Sequence, residues 1–301
     1  MPPIAIISFC TYELFHTAAR LVHNSGMNST ATQGLPIGVF DSGVGGLTVL
    51  KALREKLPGE DLIYLGDTAR LPYGTKSPAS ISRYACQATR LLQEREIKLL
   101  VVACNTASAV ALDDLREQMQ PLPVIGVVGP GASAAVAARP GGRHLVLATE
   151  ATVRLSAYRR AIMDLDPAAE VTELACEMLV SLAEEGWSDG AIADAIIARY
   201  IDELGDAAGQ ADSVILGCTH FPLLREPIAR AFASDVSLVD SAGTTAVAAA
   251  ELLDSQNLAK AAEGSGSLQL LATDGASRFA RVGGWFLGTE LTADDVDLVD
   301  L

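Results

Sequence analysis

Two cysteines stand in matching settings. Val101-Val102-Ala103-Cys104-Asn105-Thr106 and Ile215-Leu216-Gly217-Cys218-Thr219-His220 each pass from an apolar, strand-like run through a small residue to a cysteine, followed by two hydrogen-bonding residues. A cysteine between a strand's end and a helix's first turn lies where unpaired backbone N–H groups and the helix dipole lower a thiol's pKa. Such a thiol can serve as base or nucleophile. Free cysteine is also among the most buried residue types and packs as a small hydrophobe. That reading fits Cys10, Cys86 and Cys176, none of which shows the strand-to-helix pattern in the sequence. For Cys104 and Cys218 the paired contexts favour chemistry. Two thiols suit a reaction that removes a proton from one face of a carbon and delivers another to the opposite face. An unperturbed thiol titrates near pH 8.5, so one can act as thiolate while its partner stays protonated.

The residues around the thiols extend this reading. Asp41 precedes Ser42-Gly43-Val44-Gly45-Gly46. An Asp there can simply cap the next helix, and the glycines do not form GxGxxG, which argues against a dinucleotide. They let the backbone approach a small anion, since a helix N-terminus accepts carboxylate as well as phosphate. His220, two residues after Cys218, is placed as its proton partner. Inversion at the Cα of an amino acid is the reaction that needs such a pair, because that proton is very weakly acidic and the developing carbanion must be stabilised by a preorganised site.

These residues need a scaffold that brings two distant segments together. From Pro36 onward, short apolar runs at 37–40, 62–65, 99–103, 124–128, 145–148, 214–216, 236–239 and 268–271 alternate with segments of helical length and composition such as 80–96, 188–204 and 244–253. Strand and helix in alternation predict βαβ units and mainly parallel sheets. Phe40-Asp41-Ser42 and Val239-Asp240-Ser241 add a second short echo beside that of the cysteines. The expected architecture is two pseudo-symmetric α/β domains, one from 35–127 plus 240–301 and one from 128–239. Ligands bind at the carboxyl ends of the strands in open α/β sheets, so the site is expected in the cleft between the domains. Residues 1–34 lack a sustained apolar period and read as a flexible, dispensable tail, with Met27 as a possible start.

Composition removes other classes. Half of the 301 residues are hydrophobic, and 22 Lys and Arg against 37 Asp and Glu give a net charge of −15. With no basic cluster, nucleic acid and anionic membrane surfaces are excluded as partners. The uncharged stretch 118–138 is interrupted by Pro121, Pro123, Pro130 and three glycines, which is turn punctuation and not a membrane span. The N-terminus makes a poor signal peptide. Five cysteines without a CxxC pair suggest free thiols in a reducing cytoplasm. The four scattered histidines give no metal-site spacing.

Four segments together are specific. Ile37-Gly38-Val39-Phe40-Asp41-Ser42-Gly43-Val44-Gly45-Gly46-Leu47-Thr48, Tyr64-Leu65-Gly66-Asp67-Thr68-Ala69-Arg70-Leu71-Pro72-Tyr73-Gly74-Thr75-Lys76, Ala103-Cys104-Asn105-Thr106-Ala107-Ser108 and Gly217-Cys218-Thr219-His220-Phe221-Pro222-Leu223-Leu224 resemble bacterial glutamate racemases, in the same order. The resemblance covers about residues 36–300. It implies a cofactor-independent isomerase that interconverts L- and D-glutamate for peptidoglycan, with glutamate as its small-molecule partner and a homodimer as its assembly. Carried over by position, Cys104 would act on D-glutamate with Asp41 assisting, and Cys218 on L-glutamate with His220 assisting. Ser42, Tyr73, Gly74, Asn105, Thr106, Thr149, Thr152 and Thr219 match substrate-binding positions, as do Asp41 and His220 themselves. Glu184 matches an acidic residue near the second cysteine.

The chain departs from the family pattern at Gly129, where Glu is common, at Ala151 in place of Gly, and at Cys176-Glu177-Met178, where Pro and an aromatic usually follow the cysteine. None of these touches the paired thiols. A racemase of the same superfamily acting on aspartate or a hydantoin is the nearest alternative. A pyridoxal phosphate enzyme would need a Schiff-base lysine, and of the five lysines only Lys76 lies in a candidate site loop. A non-enzymatic amino-acid-binding module would have no need of two matched thiols.

Overall fold

The computed structural model describes residues 29–261 and 264–301. Cys10, Met27 and the tail before Ser29 lie outside the described residues. Among the described residues, ten strands form two sheets: β1 (Ile37–Asp41), β2 (Leu62–Gly66), β3 (Leu99–Val102), β4 (Val124–Gly126), β5 (Arg143–Ala148), β6 (Glu170–Ala175), β7 (Ser213–Gly217), β8 (Ser237–Asp240), β9 (Leu268–Ala272) and β10 (Val296–Leu298). The first sheet has the order β10-β9-β2-β1-β3-β4 and the second β6-β5-β7-β8. Every pairing is parallel.

Parallel strands need crossover helices, which cover both faces of a sheet and make its central strands apolar throughout. In β1, Ile37 and Val39 pack into one core, with Leu47, Leu50 and Leu53 of the helix Leu47–Lys56. Phe40 turns to the other, with Ile81 and Ala85 of the helix Pro78–Gln93. The second sheet is sandwiched in the same way. Leu145, Leu147, Val214 and Leu216 face one side, and Val146, Ala148 and Ile215 face the other. No helix among the described residues is long and apolar enough to cross a membrane.

β6 and β10 are absent from the strand pattern read in the sequence. Both are edge strands; β6 carries Glu170 and Glu173 and β10 is only Val-Asp-Leu, so neither forms an apolar run. The predicted strand 124–128 ends at Gly126, and Val128 already opens the helix Val128–Ala138. Pro130 sits in that helix's first turn, where its missing N–H leaves no bond unmade.

The finding of β6 also corrects the reading of Cys176. It follows that strand directly and precedes the helix Glu177–Glu184, which is the strand-to-helix setting reserved above for Cys104 and Cys218. Its side chain is nevertheless fully buried among Leu145, Leu179 and Leu182. Burial pushes its thiol well above the ordinary range, as do Glu203 and Glu177. The two Asp-Ser echoes are likewise not symmetry partners. β3 and β7 are equivalent, each lying between the central strand of its sheet and an edge strand, whereas Asp41 ends central β1 and Asp240 ends edge β8.

Residues 29–33, read as polar tail, form a helical turn, Ser29–Gln33. The Gln33 carbonyl accepts from Lys98 Nζ at 2.6 Å, and Gln33 Nε2 donates to the Asn257 carbonyl at 3.2 Å. Lys98 is buried beside Glu60. Gln33 thus satisfies a buried ammonium that would be costly to leave unpaired. A chain beginning at Met27 keeps Gln33 and is expected to retain full turnover and its melting temperature. A chain beginning at Leu35 is expected to melt lower, and thermal denaturation of the two checks this.

Candidate active site

Cys104 is the N-cap of the helix Asn105–Gln118, and its sulfur accepts from the Ala107 N–H at 3.4 Å. The thiol donates to Ser42 Oγ at 3.4 Å. Sequence alone suggested a lowered pKa here. Burial instead pushes the Cys104 thiol up to about 12, helped by the neighbouring Asp41 carboxylate, and together these outweigh the hydrogen bonds it shares with Ser42 and Ala107. In the ligand-free protein Cys104 is therefore a thiol, and so a proton donor.

Asp41 ends β1 and is buried. Its Oδ2 accepts from the Gly43 N–H at 2.9 Å, which folds the 42–46 loop back over the carboxylate. Burial raises its pKa, opposed by His220 and by the backbone N–H groups of Gly43, Gly46 and Ser42. Asp41 Oδ1 and Asn105 Oδ1 are both buried without a hydrogen-bond partner. An unpaired buried acceptor costs about 1–3 kcal/mol. Two of them flanking Cys104 suit a ligand that brings donors, such as an ammonium group. Asn105 is oriented by its other end, where Nδ2 donates to Tyr158 Oη at 2.8 Å.

Cys218 is held differently. It follows β7 and is succeeded by a 3-10 turn, Phe221–Leu224, in place of the expected α-helix. His220 Nδ1 lies 3.6 Å from Cys218 Sγ, and His220 Nε2 lies 3.1 Å from Glu184 Oε1. Burial alone would lower the imidazole pKa. The sulfur and the Glu184 carboxylate outweigh it and raise His220 to about 10. Burial would also raise Glu184, but His220 and Arg278 hold its pKa below the usual value. With Nε2–H given to Glu184, Nδ1 can accept the thiol proton or, once protonated, donate to a thiolate. The chain Cys218–His220–Glu184 can thus take up and return a proton at the sulfur.

The two halves meet across hydroxyl groups. Thr106 Oγ1 and Thr149 Oγ1 are 2.9 Å apart, and Thr149 and Thr152 are 3.1 Å apart. Thr48 Oγ1 donates to the Thr219 carbonyl at 2.9 Å. The hydrogen bonds fall into separate sets: Thr106, Thr149 and Thr152 in one, Ser42 on Cys104 in another, and Thr219, His220 and Glu184 with Cys218 in a third. Tyr73 is buried with its hydroxyl donating to Asp67 Oδ2 at 2.5 Å. Arg70 and Thr273 bind the same carboxylate, so the Tyr73 side chain anchors its loop and leaves adjacent Gly74 near Thr149.

Sequence reasoning missed Tyr158, Tyr64 and Arg278. Tyr64 Oη donates to the Gly43 carbonyl at 2.9 Å, and Tyr64 at least lay inside a quoted motif. Tyr158 and Arg278 carried no local signal. The departure at Glu177 has a local reason, because its Oε1 accepts from the Glu150 N–H at 2.5 Å and so caps the helix Glu150–Arg154. A side chain at Gly129 would meet open space. Ala151 is buried in the core beside Cys104.

The chain is similar to known racemases. The Asp/Glu/Hydantoin racemase family matches residues 37–250. Glutamate racemase from Geobacter metallireducens is 48% identical over 255 residues, covering 85% of this chain and 93% of that protein. The structure of glutamate racemase from Francisella tularensis in complex with D-glutamate is similar with a TM-score of 0.82 at 37% identity, covering 89% of this chain and 98% of that one. An aspartate racemase from Picrophilus torridus shares the fold, with a TM-score of 0.52 at 17% identity. On the extent of the family match and the identity to these relatives, the chain belongs to the Asp/Glu/hydantoin racemase family.

Proposed function

We propose that this chain is a cofactor-independent glutamate racemase in which Cys104 and Cys218 work on opposite faces of the substrate Cα. The observation that carries the reading is that two buried thiols end equivalent strands of two sheets, each with its own acidic or basic partner. In the direction from L-glutamate, Cys218 as thiolate, paired with imidazolium His220, takes the Cα proton. Cys104 then gives its thiol proton to the other face of the carbanion, leaving a thiolate beside Asp41. The reverse direction exchanges the roles. The substrate ammonium meets Asp41 Oδ1 and Asn105 Oδ1, and its carboxylates meet the threonines and the 42–46 and 74 backbone. A cation beside Cys104 offsets the Asp41 charge that, after burial, keeps this thiol protonated.

The lobes 35–127 plus 240–301 and 128–239 close over the substrate to exclude water from the carbanion. The same reading makes the protein a cytoplasmic homodimer that supplies D-glutamate for peptidoglycan. Glutamate is favoured over aspartate by the motifs around Asp41 and Cys218 and by the names of the more similar relatives. Purified protein given L-glutamate or L-aspartate, with optical rotation followed to equilibrium, tests it. Turnover of aspartate alone would overturn the choice of substrate.

Asp41→Asn and His220→Asn are expected to slow different half-reactions, proton removal from D-glutamate and from L-glutamate respectively. The equilibrium constant between enantiomers is unity, so kcat/KM must change equally in both directions for any variant. The distinction lies in kcat and in the primary isotope effect with Cα-deuterated substrate. Equal isotope-effect changes in both directions for both variants would refute the assignment.

A further inference from the structure

We propose that Arg278 is a positioning residue for the Cys218 half of the site: its guanidinium, on the C-terminal helix Ala276–Leu287, fixes the Glu184 carboxylate that orients His220. The proposal rests on the two-thiol reading above. Glu184 is the last residue of its helix and offers its two oxygens to different partners, Oε1 to His220 Nε2 at 3.1 Å and Oε2 to Arg278 Nη2 at 2.7 Å. With one oxygen clamped, the other is held in place for the imidazole. The same C-terminal helix supplies Phe286, whose ring meets the His220 ring edge to face with centroids 5.2 Å apart. Trp285 lies against Gly186, two residues beyond Glu184, 3.2 Å from where a side chain there would begin.

One helix, packed on the Leu47–Lys56 helix of the first lobe, thus supports both the plane of a catalytic imidazole in the second lobe and the carboxylate behind it. Opening the lobes would part Arg278 from Glu184, so the Cys218 base is fully assembled only when the cleft is shut.

The charged and titratable groups facing His220 are Cys218 from the end of β7, Glu184 from its helix, Asp41 from the end of β1 and, behind Glu184, Arg278. Arg278 partly neutralises Glu184 and moderates its pull on the imidazolium. Without Arg278 the imidazolium is favoured further, and it persists to higher pH. The Arg278 side chain is 52% exposed, and ion pairs this open to solvent contribute little to folding. Its loss is therefore expected to leave the fold intact.

The test compares the full-length wild type with Arg278→Met, Arg278→Lys, Glu184→Gln and the double variant Arg278→Met/Glu184→Gln. Arg278→Met is expected to lower kcat from L-glutamate roughly tenfold, the size of effect that mispositioning of a general base produces. The melting temperature should not move, and the alkaline limb of the kcat profile should shift upward. Arg278→Lys restores most of the rate and the limb. In the Glu184→Gln background Arg278→Met adds no further loss, because the residue acts through that carboxylate. Unchanged kcat and pH profile in Arg278→Met overturn the proposal, as do independent, multiplicative losses in the double variant. A wild type that fails to racemise glutamate overturns the functional reading and this proposal with it, before any substitution is made.

Discussion

Cys104→Ala and Cys218→Ala are each expected to abolish racemisation, with losses of roughly a thousandfold or more, since removing a general acid or base costs about 10²–10⁴ and no second group reaches the vacated face. Each variant retains half of the chemistry. Cys218 alone should exchange the Cα hydrogen of L-glutamate with solvent, and Cys104 alone that of D-glutamate. In wild-type protein run in D2O, product carries deuterium from the first turnover, whereas substrate recovered early carries almost none, because the base that took its proton seldom returns a solvent-derived one. Mass spectrometry of separated enantiomers reads both quantities. Appreciable undeuterated product in a single turnover would mean that one base serves both faces.

Gly45→Ala is expected to lower kcat by roughly 100-fold while the protein stays folded, because misplacing catalytic groups by about an ångström has an effect of that order. A methyl group at Gly45 would clash with Thr219 Oγ1 and stand 2.5 Å from both Cε1 and Nδ1 of His220. These neighbours belong to the opposite lobe, so relief comes by pushing the Cys218–Thr219–His220 turn away from the Asp41 loop. Gly129→Ala is the control, since its added methyl meets nothing within 4 Å. Circular dichroism and the initial rate of D-glutamate formation decide the matter. Full activity in Gly45→Ala would show that the cleft works in a wider arrangement than the one described.

The sequence carried the site further than it carried the fold around it. The matched cysteines, Asp41 in its glycine loop and His220 were legible because each belongs to a short segment whose local chemistry is complete. Glu184 was found by resemblance, but its action through Nε2 of His220 was not, since that depends on residues 36 positions apart meeting in space. Arg278 lies 94 positions from Glu184 and has nothing distinctive beside it. The central strands were plain because burial on both faces makes them continuously apolar. β6 was hidden by its two glutamates, exposed Glu170 and Glu173 with its buried carboxylate, which break the apolar run, and with it went the correct setting of Cys176. That residue shows what the pattern lacks: among the described residues three cysteines follow strands and all three are buried, and what separates Cys176 is its partner, a backbone carbonyl of Leu174, where Cys104 has Ser42 and Asp41 and Cys218 has His220. The lowered thiol pKa expected at Cys104 was overridden by burial and Asp41, neither of which can be weighed from a motif.

The hydroxyl bridges between the lobes set how readily the enzyme can let go. Thr106 to Thr149 and Thr48 to Thr219 are neutral hydrogen bonds, each worth about 0.5–1.5 kcal/mol net, and in the charged bridge from Arg278 to Glu184 the arginine side chain is half open to water. Parting them exchanges a few protein contacts for solvent. For a catalyst whose substrate and product are mirror images at one carbon, this weak latch matters. Either enantiomer enters and leaves by the same motion, so a latch strong enough to retain one would retain both, and residence time would then limit flux in the two directions alike.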